Sequence, residues 1–399
     1  MSVPPRPTRV LALSEAPIPS AVLGIHAVFD ALAADGLCEL ATGSSITPRA
    51  EQLAWADVVV LVRGAAPSER RILFEAQRLG RKVATYLDDD LERVPAEARS
   101  GYFFTSPEVR ANVATIVRRA DAVLVCSERL GAELASRHGV TPILVRQPRP
   151  PRLPDEPTTP PALRDDADAA ARPVRIGFLG SVDHARFLDE LLAEPLRRLK
   201  ERFGARLELV FCGAIPQVAR DLGAVTHEFE ADFVTWRRRA FALALDVGLA
   251  PLPDTPFHRC KYFNKYLEYG SLGVAGVYSN VPPSADVVRH EQTGLLCPNE
   301  GSAWLAALER LAEDRALRVA IARAAWDDVE RRFSSAALLP HWRDALGELL
   351  AHRAPEVRES DVRLRGGPVR HALDRLAVYG PLRFAERVVG RLTGRLRPG

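Results

Sequence analysis

Two lysines and a glutamate in the stretch PFHRCKYFNKYLEYGSLGVAGVYSN, residues 256–280, have the types and spacing to handle a phosphorylated ligand. The chain holds four lysines, Lys82, Lys200, Lys261 and Lys265, although lysine and arginine together number 54. An ammonium is a compact point charge and a guanidinium a planar fork, so two lysines this close in an arginine-rich chain mark a position. Lys261, Lys265 and Glu268 stand at i, i+4 and i+7, which predicts one face of a helix. The preceding DVGLAPLPDTPF reads as a strand and loop, so that helix would start at the carboxyl edge of a sheet. A helix start offers backbone N–H groups and partial positive charge to a phosphate, and the lysines add charge for a diphosphate. A carboxylate one turn on suits the two hydroxyls of a ribose. On spacing alone, the same face also suits a surface helix whose charges pair with each other.

Other residues offer weaker chemistry. Gly180-Ser181, after the strand VRIGFLG, can bring backbone N–H groups to a diphosphate or form an ordinary turn. The glycine spacing there is too short for the dinucleotide fingerprint, which disfavours NAD. Asp88, Asp89 and Asp90 follow the strand KVATYL, where three carboxylates could hold a divalent metal. A diphosphate site built on lysines points instead to a metal-free mechanism, leaving these acids to bind acceptor hydroxyls or to cap the next helix. His26 lies in the first helix, where it either reaches a ligand edge or packs.

The elements that must position these groups are legible as continuous apolar strands alternating with amphipathic helices. RVLALS, ADVVVLVR, KVATYL and AVLVCS precede a Pro-rich, charged stretch at 146–173, and VRIGFLG, RLELVFCG, DVGLAPL and VAGVYS follow it. This pattern predicts α/β architecture: two tandem Rossmann-like, doubly wound domains with a helical C-terminal tail. The expected boundaries are 1–148 for an acceptor-side domain, 149–173 for a linker, 174–353 for a donor domain and 354–399 for the tail. Sheets of this kind bind ligands at the carboxyl ends of their strands, and two such domains imply a cleft.

Composition narrows the class. Apolar residues make up 47% and charged residues 26%, as in an ordinary globular protein, and the formal net charge is +3. Five cysteines, at 38, 126, 212, 260 and 297, show no paired spacing, which argues for a reducing cytosol and against a zinc ribbon or disulfide scaffold. No apolar run reaches 18 residues, and the start is too short and Pro-broken for a signal peptide. From residue 353 onward there are 11 arginines and 5 acids, so the tail is basic and the body mildly acidic. Apolar Ala385, Val388, Val389, Leu392 and Leu396 follow one side of the tail, and Arg383, Arg387, Arg391 and Arg395 another. Such a segment suits an anionic membrane face, and equally a solvated helix docked on the body.

The region FHRCKYFNKYLEYGSLGVAGVYSNVPPSADVVRHEQTGLLCPNE resembles the donor-site region of bacterial GT-B glycosyltransferases of the group-one, surface-polysaccharide type. The matching residues are Phe257, Arg259, Lys261, Lys265, Leu267, Glu268, Tyr269, Gly273, Ser279 and the Thr293-Gly294-Leu295-Leu296 turn. IGFLGSVDHARF, YLDDDLERVP and RRADAVLVCSERL are similar to other parts of that family. The resemblance implies a sugar transferred from a nucleoside-diphosphate sugar, such as a UDP-sugar, to a saccharide, lipid-linked or protein acceptor. It implies retention of configuration, no metal and no cofactor beyond the donor itself.

By the same resemblance, Glu268 holds the ribose, while Lys261, Lys265 and His184 act on the diphosphate and leaving group. Gly180, Ser181, Arg259 and Thr293 join the donor site. For His184, an exposed helix-start histidine is the plainer alternative. Cys260 stands where many relatives carry a second glutamate, at the sugar end of the site. That departure keeps open a non-catalytic sugar-nucleotide-binding scaffold, and an epimerase on the same fold is a further alternative. The expected partners include an anionic membrane surface through 366–399 and exclude nucleic acid. The expected location is the cytoplasm, at the inner face of the membrane if the tail binds there.

Overall fold

The computed structural model describes residues 6–16, 18–163, 172–364, 369–370, 372–376 and 378. The chain divides into two compact units, one of residues 1–146 with 339–399 and the other of residues 147–338.

The first unit winds from β1 (Thr8–Ser14) through a π-helical turn (Val22–His26) into α1 (Ala27–Ala34) and β2 (Cys38–Ser44). It continues through β3 (Val58–Val62), α2 (Pro67–Arg78), β4 (Lys82–Leu87), α3 (Pro107–Arg119), β5 (Ala122–Val125), α4 (Glu128–His138) and β6 (Ile143–Leu144). The strands are parallel in the order β2-β1-β3-β4-β5-β6. Every residue of β3 is buried, as its unbroken Val/Leu run requires in a sheet covered on both faces. Leu11, Leu13, Val59, Leu61, Ile72, Leu73 and Ile116 form part of this unit's core.

The second unit comprises β7 (Val174–Gly180), α5 (Ala185–Phe203), β8 (Leu207–Gly213), β9 (Val225–His227), α6 (Phe233–Leu243) and β10 (Val247–Ala250). Then come α7 (Pro256–Arg259), α8 (Asn264–Ser271), β11 (Ala275–Ser279), β12 (Leu295–Cys297), α9 (Gly301–Glu313) and α10 (Arg315–Phe333). Its parallel order, β12-β11-β10-β7-β8-β9, reverses between β7 and β10, the crevice where such sheets hold ligands. Phe178, Leu188, Leu192, Phe211, Leu249 and Trp304 lie in its core.

Two boundaries differ from those expected. The stretch from 149 to 163 packs on the second unit rather than linking freely. Arg149 and Arg152 pair with Glu330 at 2.9 and 3.0 Å, and Glu156 pairs with the fully buried Arg237 at 2.5 Å. Prolines alone suggested a linker; the buried ion pair overrides that composition. At the other end, α11 (Ser335–Leu350) carries the chain back, so residues from 339 belong to the first unit instead of completing the second. Trp342, fully buried, donates its indole N–H to Arg146 O at 2.9 Å. Arg353 reaches the Thr8 hydroxyl at 2.5 Å, and Ala354 N donates to Asp57 at 2.9 Å.

The described part of the tail docks on the first unit through Arg71–Asp374 (2.9 and 2.5 Å) and Arg375–Glu15 (2.5 Å). The arginine and apolar stripes expected at 383–396 lie outside the described residues. Among the described residues, no helix is long and apolar enough to cross a membrane.

Candidate functional site

The site takes shape at the carboxyl end of β7. Gly180 pairs in register with Gly213 of β8, and Leu179 with Cys212. A Cβ on Gly180 would lie 2.8 Å from the Phe178 ring and 3.1 Å from Lys265 Nζ, so the glycine is what lets that ammonium approach the strand end. Gly213 has φ +81°, and a side chain there would press into Gly180 O at 2.0 Å. Phe178, wholly buried, has Lys265 Nζ 5.2 Å from its ring centroid and the His184 ring at 5.2 Å. Lys265, His184 and Gly180 thus converge around one aromatic ring that the sequence presented as ordinary strand core.

Lys265 Nζ donates to Glu268 Oε2 at 2.5 Å across one turn of α8. Both side chains are mostly covered, at 21% and 15% exposure. The helix itself is fixed by what lies beneath it. Tyr266 donates its hydroxyl to the buried Asp328 of α10 at 2.7 Å, and Tyr269 donates to Leu249 O at 2.6 Å. Arg289, Arg331 and Arg332 surround Asp328 at 3.0, 3.3 and 3.0 Å. Burial pushes this carboxyl up, but the Tyr266 and Arg289 hydrogen bonds and the Arg332 charge carry it below the ordinary aspartate value. The loop after β10 is held from its neighbours: Leu252 N donates to Ser279 Oγ at 2.8 Å, and Asn299 Nδ2 to Leu252 O at 2.9 Å.

Lys261 is not on the face predicted for it. The helix is interrupted: α7, capped by Thr255 with Pro256 in its first turn, ends at Arg259, and α8 begins at Asn264. Tyr262 is buried with its hydroxyl on Gln147 O at 3.2 Å, and the Phe263 ring meets Phe333 at 5.2 Å. These anchored rings turn the chain between the two helices and leave Lys261 in the bend, its ammonium 4.6 Å from the Phe257 ring centroid.

Arg259 points to Asp254 at 2.5 and 2.8 Å, a half-exposed pair. Thr293 is fully buried, its hydroxyl accepting from Arg289 N at 3.0 Å, so its side chain holds the turn rather than facing a ligand. Ser181 O accepts from His184 N at 3.3 Å in the single turn after β7. Cys260 is buried at 2% exposure.

The acidic turn of the first unit is occupied by arginines. Arg63, held at φ +56°, donates to Asp88 at 2.7 Å and Asp89 at 2.8 Å, while Asp90, wholly buried, takes Arg137 at 3.0 and 2.6 Å. Asp90 is therefore a packing residue rather than an acceptor contact. Among the described residues, no group of histidine, cysteine and acidic side chains could hold a metal ion. His26 closes the π-helical turn, half-buried, and burial lowers its pKa while Asp30 opposes that. A Cβ on Gly24 in this turn would meet the Tyr86 hydroxyl at 2.5 Å, so the turn rests on β4.

The family model described as glycosyl transferases group 1 matches residues 173–314. No curated protein matches the chain by sequence. Among solved structures, sucrose-phosphate synthase of Thermosynechococcus elongatus is similar with a TM-score of 0.61 at 15% identity, covering 86% of this chain and 99% of that one. HepE of Anabaena, solved with UDP and glucose, gives 0.59 at 14%, covering 85% and 99%. A putative UDP-N-acetylglucosamine 2-epimerase from Listeria monocytogenes gives 0.52 at 11%, covering 85% and 97%. At these identities the likeness is one of fold. Residues 173–314 are thus similar to the group 1 glycosyl transferases, and the chain has the GT-B fold.

Proposed function

We propose that the second unit binds a nucleoside-diphosphate sugar, with UDP as the nucleotide, and that the chain transfers the sugar to a saccharide, lipid-linked or protein acceptor. The observation that carries this reading is the Lys265–Glu268 pair set against Gly180 at the end of β7, where the strand order reverses. The arriving diphosphate takes Lys265 from Glu268, and Glu268 turns to the ribose hydroxyls. Transfer breaks the bond between the anomeric carbon and the diphosphate and joins that carbon to an acceptor oxygen. Negative charge gathers on the departing diphosphate, so a fixed ammonium stabilises the transition state more than the ground state. Lys261 and His184 lie on either side of this position in the chain and supply further donors.

In this reading the cations of the protein replace a metal, the configuration is retained, and the first unit supplies the acceptor. The enzyme works in the cytosol on bacterial surface glycans, at the inner face of the membrane. UDP is favoured because HepE, similar in fold, is solved with it.

Titration of UDP into wild-type protein and into Lys265→Ala and Glu268→Ala tests the site. Each substitution is expected to weaken binding at least tenfold, and wild-type affinity in both overturns the assignment. Incubation with UDP-sugars, with and without a lipid or saccharide acceptor, separates transfer from the alternatives. Acceptor-dependent release of UDP is expected. Isomerisation without acceptor indicates an epimerase, and binding without turnover a scaffold.

A further inference from the structure

A second group of cations sits at the opposite edge of the second unit. Arg172 and Asp246 stand just before β7 and β10, strands that pair in parallel, so both residues lie at the amino edge of the sheet. The first turn of α10 adds Arg315 and Arg318. These side chains line a narrow recess with Ala162, Val319 and Ala322 as its apolar walls, and its floor has room for one oxygen-sized group. The seven residues of β7 put this recess roughly 20 Å from Gly180, outside the donor site.

Packing accounts for only part of Arg318. The side chain is 8% exposed, and its Nη1 caps the end of α9 by donating to Leu311 O at 2.5 Å and Ala312 O at 3.5 Å. Among the described residues, its Nε and Nη2 have no hydrogen-bond partner and its charge has no ion pair. A buried guanidinium without a counter-ion is costly. The nearby acids are committed elsewhere. Asp246 accepts from Arg172 at 2.7 and 3.0 Å and from Arg175 N at 2.8 Å, and Asp314 caps α10 on Leu317 N at 2.9 Å. Among the described residues, three guanidinium groups thus stand against two carboxylates. Burial lowers the pKa of Arg318, Asp246 opposes this, and the charges of Arg315 and Arg172 lower it further.

We propose that this recess binds a phosphoryl group: one phosphate oxygen enters it and accepts from Nε and Nη2 of Arg318, and the outer oxygens meet Arg315 at the mouth. Arg315 is exposed, so an anion reaches it from solvent. Arg172, held by Asp246, adds positive charge at the side. The fork of a guanidinium matches the oxygens of a phosphate, and the charge of the anion supplies the counter-ion that Arg318 lacks. The narrow floor admits an oxygen but no ring, so the ligand is inorganic phosphate or the end of a phosphate monoester. The site needs neither Lys265 nor Glu268 and stands independently of the donor reading.

Calorimetric titration of the full-length protein with inorganic phosphate reads the site, with ionic strength held by potassium chloride and the donor site filled with UDP. One phosphate per chain is expected, with affinity falling at least tenfold in Arg315→Ala and in Arg318→Gln. Lys265→Ala, titrated without UDP, is expected to keep that phosphate within twofold of wild type. Arg318 also caps α9; should Arg318→Gln fail to fold, the exposed Arg315 carries the test alone. No binding to wild type, unchanged affinity in Arg315→Ala, or loss of binding in Lys265→Ala overturns the site. Binding that appears only when Asp165, Asp166 and Asp168 are all changed to asparagine also overturns it, because acids of the chain itself then fill the recess. Vesicles of phosphatidylcholine with phosphatidate separate the two sources of the group. Sedimentation abolished by Arg315→Ala assigns it to a lipid headgroup, and sedimentation unchanged by Arg315→Ala assigns it to a free solute.

Discussion

At the residue scale, Gly180 is the tightest constraint on the site. A methyl there meets the buried Phe178 ring at 2.8 Å and Lys265 Nζ at 3.1 Å. Phe178 is locked in the core, so the flexible lysine must give way. Gly180→Ala is therefore expected to lower UDP affinity at least tenfold, with a stability loss of about 1–3 kcal/mol from overpacking. Calorimetry and thermal melting read the two effects separately, and unchanged UDP binding would contradict the assigned approach. The pairing of Lys265 with Glu268 was legible in the sequence because i, i+3 partners meet on any helix. The place of Lys261 was not, because the break between α7 and α8 depends on Tyr262 and Phe263 finding Gln147 and Phe333, partners distant in sequence. Phe178 was hidden for a related reason: an apolar strand looks alike whether its rings only pack in a core or also support a lysine at the strand end.

At the element scale, α8 is aimed from below by Asp328. Its folded carboxyl titrates lower than an unfolded one, so its contribution is present above the unfolded pKa of about 3.9 and is lost as pH falls through the folded value. Asp328→Asn should flatten the loss of stability below about pH 4. It should also cost about 2 kcal/mol at neutral pH, less than for a wholly buried pair because the three arginines keep contact with solvent. Denaturant melts across pH read both. A second support is Glu156, whose pair with Arg237 ties the chain before β7 to α6 and to Ser271 at the end of α8. Glu156→Gln leaves a buried guanidinium without its counter-ion, an expected loss of about 3 kcal/mol, or roughly 6–12 °C in Tm for a unit of this size. An unchanged melting temperature would show that the stretch from 149 to 163 is no more than a tether. Composition hid this role, since proline and charge read as a linker whenever the partner of the charge is unknown.

At the scale of the whole molecule, the strands and their alternation with helices were readable from apolar runs, because a parallel sheet covered on both faces leaves little choice of residue. The return of α11 to the first unit was not, because an amphipathic helix does not name the surface it covers. The described residues of the tail, Asp374 and Arg375 among them, bear on the membrane proposal. Arg71–Asp374 fixes them to the first unit, so removing only 379–399 spares that contact while deleting the arginine stripe. The shortened protein is expected to lose binding to vesicles rich in anionic lipid and to keep its affinity for UDP; full vesicle binding in a sedimentation assay would end the membrane proposal.

The return of the chain at α11 sets an order of events during synthesis. Strands β1 to β6 leave the ribosome first, yet Thr8, Asp57 and Arg146 must wait for Arg353, Ala354 and Trp342, some two hundred to three hundred and fifty positions later. All of β7 to β12 emerges in between and has its own core within one uninterrupted stretch of chain. The nascent polypeptide can thus complete its second half while the first is still waiting for α11, and a translational pause before codon 339 would prolong that wait.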